Sequence, residues 1–353
     1  MENKIKVSIV GVTGYTGSEL VRLLVRHPQV ELLELEGRSA AGQPLGSVFP
    51  HLAPLGLNVK EKLERPAEAA FIFLGLPHHA SAERAAEIFE QAPNTRIIDL
   101  SADFRLRNRA TYEKWYGEHH APYILPEAFY GLPELYRKQV TANTRLVANP
   151  GCYPTCSSLA LAPALTEKII EPYVIINALS GTSGAGRGLK QNLHYSEMHD
   201  SACAYGLEGH RHAPEITQIL TDVNQQAKVT VSFTPHLMPL SRGMLATCSA
   251  RLSPEWLEQN TANPTAAIRA LYSSFYAGEQ FVRIAATPPT TKEVFGSNYC
   301  FLYPTVDTEA GRLVVISVID NLVKGAAGQA IQNMNLLAGL SETTGLEALG
   351  IYP

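Results

Sequence analysis

The feature that most constrains this chain is a run of glycines at three-residue spacing, Gly11-Val12-Thr13-Gly14-Tyr15-Thr16-Gly17, between an apolar stretch and an amphipathic one. Residues 4–10 read as a buried strand. Residues 15–27 read as a helix, with Leu20, Leu23, Leu24 and His27 at helical spacing and Pro28 stopping the run. A strand that turns through glycines into a helix opens a βαβ unit, and the helix N-terminus offers N–H groups and positive potential to an anion. The spacing is GxxGxxG rather than GxGxxG, so a plain turn without ligand stands as the alternative. In its βαβ setting the segment is read as a dinucleotide site formed by Gly11, Thr13, Gly14, Tyr15, Thr16 and Gly17.

Apolar runs at 30–36, 69–74, 96–100 and 145–148 alternate with helical stretches such as 81–90, which predicts a doubly wound parallel sheet of Rossmann type. A chain of 353 residues exceeds one compact core, so a second domain is expected. After Pro150 the texture changes to longer β-like runs at 173–179, 228–234, 244–252 and 312–320, with alternation such as Val229, Val231, Phe233. Residues 324–340 return to helical periodicity, with Ala327, Ile331, Met334 and Leu337 on one side. The expected organisation is a nucleotide-binding α/β domain at 1–149 and an α+β catalytic domain with a mixed sheet at 150–323. A C-terminal helix at 324–353 is expected to pack back on the first domain.

Hydrophobic content of 45% with 18% charge fits a globular enzyme. A net charge of −4 gives no general attraction to nucleic acid or an anionic membrane. The N-terminal apolar run is too short for a membrane span and leads into glycines rather than a cleavage site. Five cysteines, without paired spacing, do not form a disulfide framework, and a reducing cytoplasm is expected.

The end of the second strand distinguishes the nicotinamide cofactors. An acidic residue there holds a ribose diol, whereas Arg and small hydroxyl residues suit a 2′-phosphate. The sequence reads Glu36-Gly37-Arg38-Ser39, so Arg38 and Ser39 argue for NADP(H) against the acid at Glu36.

In Val147-Ala148-Asn149-Pro150-Gly151-Cys152-Tyr153-Pro154-Thr155, a strand ends, Pro and Gly turn the chain, and Cys152 arrives just ahead of a helix with Pro154 near its first turn. A thiol at a helix N-terminus has its thiolate stabilised by the dipole, which suits a nucleophile. Cys156, one turn into the helix, should face packing. A CxxxC redox pair lacks the two-residue spacing of thioredoxin-like sites. Cys203, Cys248 and Cys300 are read as core or loop thiols.

This stretch resembles the signature of the N-acetyl-gamma-glutamyl-phosphate reductase family, in the semialdehyde dehydrogenase group. The resemblance continues through Ala160-Leu161-Ala162-Pro163, GVTGYTG, Asp99-Leu100-Ser101-Ala102-Asp103-Phe104-Arg105, Tyr130-Gly131-Leu132-Pro133-Glu134 and SGTSGAGR at 180–187. It extends to Gly209-His210-Arg211-His212-Ala213-Pro214-Glu215, Pro239-Leu240-Ser241-Arg242-Gly243-Met244 and Asp320-Asn321-Leu322-Val323-Lys324-Gly325. It implies NADPH-dependent reduction of N-acetyl-L-glutamyl 5-phosphate, an acyl phosphate, to the semialdehyde and inorganic phosphate through a Cys152 thioester, in arginine biosynthesis.

The resemblance also implies roles for single residues. His212 becomes the acid–base group, with Glu215 orienting it or contacting substrate, and His210 lies on the substrate side. On residue chemistry alone, His210-Arg211-His212 could instead be half a metal site, but the third ligand is unnamed and no metal is expected. Arg105 is implied to bind phosphate; on residue chemistry Arg242 and Arg187 are further candidates for the anionic substrate, each equally readable as structural. Pro77 and the loop bearing Ser180, Gly181 and Gly184 are implied to line the cofactor, and Asn321 to contact its carboxamide. A homo-oligomer, dimer or tetramer, is implied too. The paired histidines His78-His79 and His119-His120 are read as surface pairs. Rival readings are an aspartate- or aminoadipate-semialdehyde dehydrogenase, and a non-catalytic NADP-sensing protein.

Overall fold

A computed structural model of the chain describes residues 4–225 and 227–353, so the first three residues of the N-terminal segment lie outside it. The chain divides into two compact units. The first is the chain up to Pro150 together with Ala326–Glu347, and the second is Gly151–Gly325 together with Ala348–Pro353.

The first unit holds β1 (Ile5–Val10), β2 (Val30–Glu36), β3 (Phe71–Leu74), β4 (Arg96–Asp99), β5 (Ala128–Tyr130) and β6 (Leu146–Ala148). Their order is β2-β1-β3-β4-β6-β5, and every pairing is parallel. The chain steps from β1 to β2 on one side and then crosses to β3 on the other. The carboxyl ends of β1 and β3 therefore flank the point where the winding reverses, where such sheets bind ligands. Val7, Ile9, Val10 and all of β3 are buried, as a sheet covered on both faces requires.

The helix expected over 15–27 runs only over Tyr15–Leu24. Past Leu24 the chain tightens, and the N–H groups of Arg26 and His27 donate three residues back. The C-terminal helix differs more. It opens with a π-helical turn at Val323–Ala327 and continues as Gly328–Leu337. It is not apolar on one side only: Gln329, Gln332, Asn333 and Asn335 are buried with Ile331 and Met334, whereas Leu337 is half-exposed. Three of these four amides are hydrogen-bonded rather than solvated, while the Gln329 side chain has no hydrogen-bond partner among the described residues. Asn333 donates to the Gly131 carbonyl at 2.8 Å and to Asn149 Oδ1 at 3.1 Å, and Gln332 donates to Glu134 at 3.1 Å.

The second unit holds β7 (Ile170–Gly181), β8 (Cys203–Ala204), β9 (Thr230–Met238), β10 (Met244–Leu252), β11 (Val282–Ile284), β12 (Cys300–Asp307) and β13 (Arg312–Ile319). The order is β11-β12-β13-β10-β7-β9-β8. The sheet is mixed, with β7/β9 and β11/β12 parallel and the other pairs antiparallel. Neither β11 nor β12 is marked in the sequence. Pro304 interrupts β12, and β11 is only three residues long.

One helix, Cys152–Thr166, is the centre of this unit, with every residue from Tyr153 to Leu165 buried. It carries Pro163, which has no N–H to give the Leu159 carbonyl one turn earlier. Tyr276 replaces it: its hydroxyl donates to Leu159 O at 2.6 Å, and Tyr272 donates to Ala160 O at 2.7 Å. Both tyrosines are buried, and both come from the helix Pro264–Phe275 or the residue after it. Tyr276→Phe should therefore cost about 1–3 kcal/mol, the usual penalty for orphaning a buried carbonyl. Urea denaturation measures it; an unchanged midpoint would show that the carbonyl is satisfied otherwise.

Candidate active site

In the first unit, β1 ends at Val10 and the glycine turn follows. Gly11 has φ +82°, and a Cβ there would lie 2.4 Å from the Gly75 carbonyl oxygen at the end of β3. A Cβ on Gly17 would lie 2.6 Å from both Gly11 O and Val12 Cα. These two glycines are demanded by the fold itself. Gly14 is not: its Cβ would meet only Gly11 O, at 3.7 Å. Gly14 caps the helix Tyr15–Leu24, where free N–H groups point outward. A bare backbone at a helix N-terminus, with room left beside it, fits the close approach of a pyrophosphate.

The competing acid is accounted for by its partners. Glu36 is 5% exposed. Its Oε2 accepts from Arg84 Nη2 at 2.7 Å and from the Leu63 N–H at 3.0 Å. The carboxylate is thus spent inside the fold. Arg38 and Ser39, just beyond, are exposed, and the Ser39 hydroxyl donates to Thr13 Oγ1 at 3.1 Å, tying the second strand's end to the glycine turn. Tyr15 is exposed, Thr16 half-buried, and Pro77 exposed two residues beyond Gly75.

Arg105 is 7% exposed. Its Nε donates to Asn149 O and its Nη2 to Leu100 O, both at 2.7 Å, so two of its five N–H groups brace the ends of β6 and β4. The loop before it is held by Asp103, whose carboxylate accepts from the Ala82 N–H at 2.9 Å and from Tyr112 Oη at 2.7 Å. Burial, and then the Asp103 charge, pushes the Asp99 carboxyl up to about 6. The paired histidines belong to this scaffold, and His119 is buried rather than on the surface because backbone groups meet both its ring nitrogens. His119 Nδ1 accepts from the Ala121 N–H at 3.0 Å, which makes Nε2 the donor to Asp103 O at 2.7 Å. His78 Nδ1 accepts from the Ala102 N–H at 3.2 Å.

In the second unit Gly151 caps the central helix and Cys152 is its first residue, inside the helix rather than ahead of it. Cys152 is half-buried. Its thiol sits where the helix N–H groups lack intrahelical partners, an environment that favours thiolate. Cys156 is fully buried, with Sγ 3.3 Å from Ser317 Oγ, and burial raises its thiol well above the ordinary range. Cys248 and Cys300 are buried; Cys203 is exposed.

Glu215 is 1% exposed, and its Oε1 accepts from the Gly151 N–H at 2.9 Å. It lies in the first turn of the helix Ala213–Asn224, whose N-cap is His212. That bond ties the turn bearing Cys152 to the turn bearing His212. His210 Nδ1 accepts from the His212 N–H at 3.1 Å, and its ring packs against Tyr153, Tyr205 and Phe233 at 5.3–5.7 Å. Burial and then Arg211 lower the His210 pKa to about 4, so near neutral pH it is a neutral imidazole with its proton on Nε2. The His212 ring lies 5.7 Å from that of Tyr153 and 5.1 Å from that of His210.

A second group of residues surrounds Asn321. Its Oδ1 accepts from the Gly243 N–H at 2.8 Å, and its Nδ2 donates to Ser183 Oγ at 2.9 Å. Ser180 and Gly181 are the last residues of β7 rather than loop, and a Cβ on Gly181 would lie 2.9 Å from Leu240 O. Gly184 is exposed in the turn beyond, and Arg187 is exposed too. Arg242 Nη1 lies 3.6 Å from Asp320 Oδ2.

Tyr153 and Asp320 carry no assignment in the sequence reading, yet both are central. Tyr153 Oη lies 3.1 Å from Tyr205 Oη, and burial, followed by the neighbouring Tyr205, raises its pKa. Its place beside Cys152 was the available signal. Asp320 precedes Asn321 at a strand end and is wholly buried, with partners both in the turn that follows it and at Gly296.

The glycines give a direct test. Gly14→Ala should weaken NADPH binding about tenfold or more, about 1.4 kcal/mol per tenfold, with the melting temperature nearly unchanged. Gly17→Ala should destabilise the fold by about 1–3 kcal/mol as an overpacked site. Fluorescence titration and thermal melts separate the two, and wild-type affinity in Gly14→Ala would remove the pyrophosphate assignment.

Residues 6–143 match the family model described as the semialdehyde dehydrogenase NAD binding domain, and residues 152–321 match that described as the semialdehyde dehydrogenase dimerisation domain. An N-acetyl-gamma-glutamyl-phosphate reductase of Dehalococcoides mccartyi (strain CBDB1) is 48% identical over 99% of both chains. The reductase of that name from Desulforamulus reducens is 49% identical over 99% of this chain and 100% of its own. Among solved structures, aspartate semialdehyde dehydrogenase II from Vibrio cholerae superposes with a TM-score of 0.70 at 17% identity, covering 95% of this chain and 98% of that one. The solved structure shares the fold, and the full-length relatives share the sequence. The chain belongs to the N-acetyl-gamma-glutamyl-phosphate reductase family of the semialdehyde dehydrogenases, enzymes with an NAD(P)-binding Rossmann domain.

Proposed function

We propose that this chain reduces N-acetyl-L-glutamyl 5-phosphate to N-acetyl-L-glutamate 5-semialdehyde and phosphate, with NADPH as reductant, in arginine biosynthesis. One observation carries the reading: Cys152 opens a buried helix in a chain 48% identical, over 99% of its length, to reductases of that name.

The Cys152 thiolate attacks the acyl carbon, the bond to the phosphate oxygen breaks, and phosphate leaves with its electron pair to give a thioester. His212 accepts the thiol proton. When bound, NADPH supplies the hydride that reduces the thioester to a thiohemiacetal. His212 returns its proton to the thiohemiacetal oxygen and takes it back as the carbon–sulfur bond breaks, which releases the aldehyde and restores the thiolate. Glu215 keeps the turns of Cys152 and His212 in register through the Gly151 N–H. Arg105 and Arg242 serve the phosphate and the substrate carboxylate, and His210 serves the substrate as a neutral donor. Ser180, Gly181, Gly184, Pro77 and Asn321 serve the nicotinamide half of the cofactor. Arg38 and Ser39, with Glu36 occupied by Arg84, favour the 2′-phosphate of NADP.

No helix among the described residues is long and apolar enough to cross a membrane. The proposal includes a cytoplasmic homo-oligomer, dimer or tetramer, supported by the match to a dimerisation domain.

Cys152→Ala should abolish turnover and leave NADPH affinity intact, whereas Cys156→Ala should keep most activity. Phosphate-dependent NADP reduction should be fastest with N-acetylglutamate semialdehyde, and slow with aspartate or aminoadipate semialdehyde. Full activity in Cys152→Ala would remove the mechanism, and preference for another semialdehyde would remove the substrate. Binding of NADPH with no turnover on any of the three would favour a sensor.

A further inference from the structure

The chain makes a wide turn against Cys152 that the chemistry above does not use. The Gly325 N–H donates to Asp320 O, five residues back, at 2.9 Å, and Val323–Ala327 form a single π-helical turn. Such turns are rare and frequent at functional sites. The φ of Gly325 lies outside the left-handed region, so its conformation would accept any residue. Its surroundings would not. A Cβ built on Gly325 falls 2.8 Å from Cys152 Cβ, closer than real Cβ atoms approach, and 3.3 Å from Cys152 Cα, a tight contact.

Neither side of this contact yields cheaply. Asp320, wholly buried, holds the turn: Oδ1 accepts from the Leu322 and Val323 N–H groups at 2.8 and 3.2 Å, and Oδ2 accepts from the Gly296 N–H at 2.7 Å. Opposite, the Cys152 backbone is pinned by the Gly151–Glu215 bond and by a helix buried along its whole following length. A cysteine sulfur has three staggered positions about Cβ. A backbone lying flush against Cβ closes off the direction it occupies and leaves the sulfur fewer orientations.

We propose that Gly325 is a positioning residue for Cys152: the wide turn presses a Cα without a side chain against the nucleophile's Cβ and restricts the direction of its sulfur. The proposal rests on Cys152 being the nucleophile. In Gly325→Ala, kcat should fall about 100-fold, as expected for a misplacement of about 1 Å, while KM and NADPH affinity change little. The rate of Cys152 alkylation by iodoacetamide should change with kcat; a merely structural glycine would leave that rate unmoved in the folded enzyme.

A stability cycle tests the contact apart from the chemistry. Gly325→Ala should destabilise the protein when Cys152 is present and much less in the Cys152→Gly background, where the opposing Cβ is gone. If Gly325→Ala does not fold, C152G/G325A should. Wild-type kcat and alkylation rate in Gly325→Ala would overturn the proposal. So would an equal loss of stability in both backgrounds, or an unfolded double variant beside a folded Cys152→Gly. An active Cys152→Ala enzyme would instead remove the nucleophile reading, and the stability cycle would still report on the contact.

Discussion

The hydrogen bond from the Gly151 N–H to the buried Glu215 carboxylate, 2.9 Å long, joins two helix starts. A carboxylate this deep is costly unless strongly bonded, and a helix N-terminus is the place in a protein best able to bond it. The bond therefore fixes where the helix Cys152–Thr166 begins relative to the helix Ala213–Asn224. With the first helix start fixed, Cys152 has a determined place, and with the second, His212 has one. The remaining length of the central helix supplies rigidity: Tyr272 and Tyr276 bond the carbonyls around Pro163, and Cys156 anchors on Ser317 of β13. A nucleophile at the mouth of a helix is useful only if the helix does not move, and buried packing on every side achieves that.

The cofactor end follows the same division between groups committed to the fold and groups left for a ligand. Gly11 and Gly17 are glycine because protein backbone lies against them, whereas a side chain at Gly14 would meet only Gly11 O at ordinary contact distance. Glu36 is an acid at the position that would select NAD, yet Arg84 and the Leu63 N–H consume it. What remains exposed beyond it is a guanidinium and a hydroxyl, a pairing suited to a phosphate. His210 behaves similarly: by accepting from the His212 backbone it becomes a fixed, neutral donor rather than a titrating base.

Local periodicity carried much of the architecture. The strands Val30–Glu36 and Met244–Leu252 stand at the bounds their apolar patterns predict. The turn into Cys152 was readable because Pro, Gly and Cys stand in a row after a strand. What escaped was whatever depended on distant partners. β12 hides behind Pro304, and the short β5 and β11 have too few residues to show a period. The helix Gly328–Leu337 looks amphipathic, yet Gln332, Asn333 and Asn335 are buried because groups from other segments meet their amides. Glu36 and Glu215 could be seen as acids, but their partners stand 48 and 64 residues away. The role of Tyr153, and the bond from Gly296 to Asp320, likewise come from contacts that no local spacing encodes.

The central claim is that one sulfur carries the acyl group during turnover. Intact-protein mass spectrometry after mixing the enzyme with N-acetyl-L-glutamyl 5-phosphate, without reductant, tests this most directly. The account predicts one N-acetylglutamyl group per chain, recovered on the peptide containing Cys152 and discharged when NADPH is added. A protein that stays unmodified while turning over normally, or an acyl group found on another residue, would contradict it.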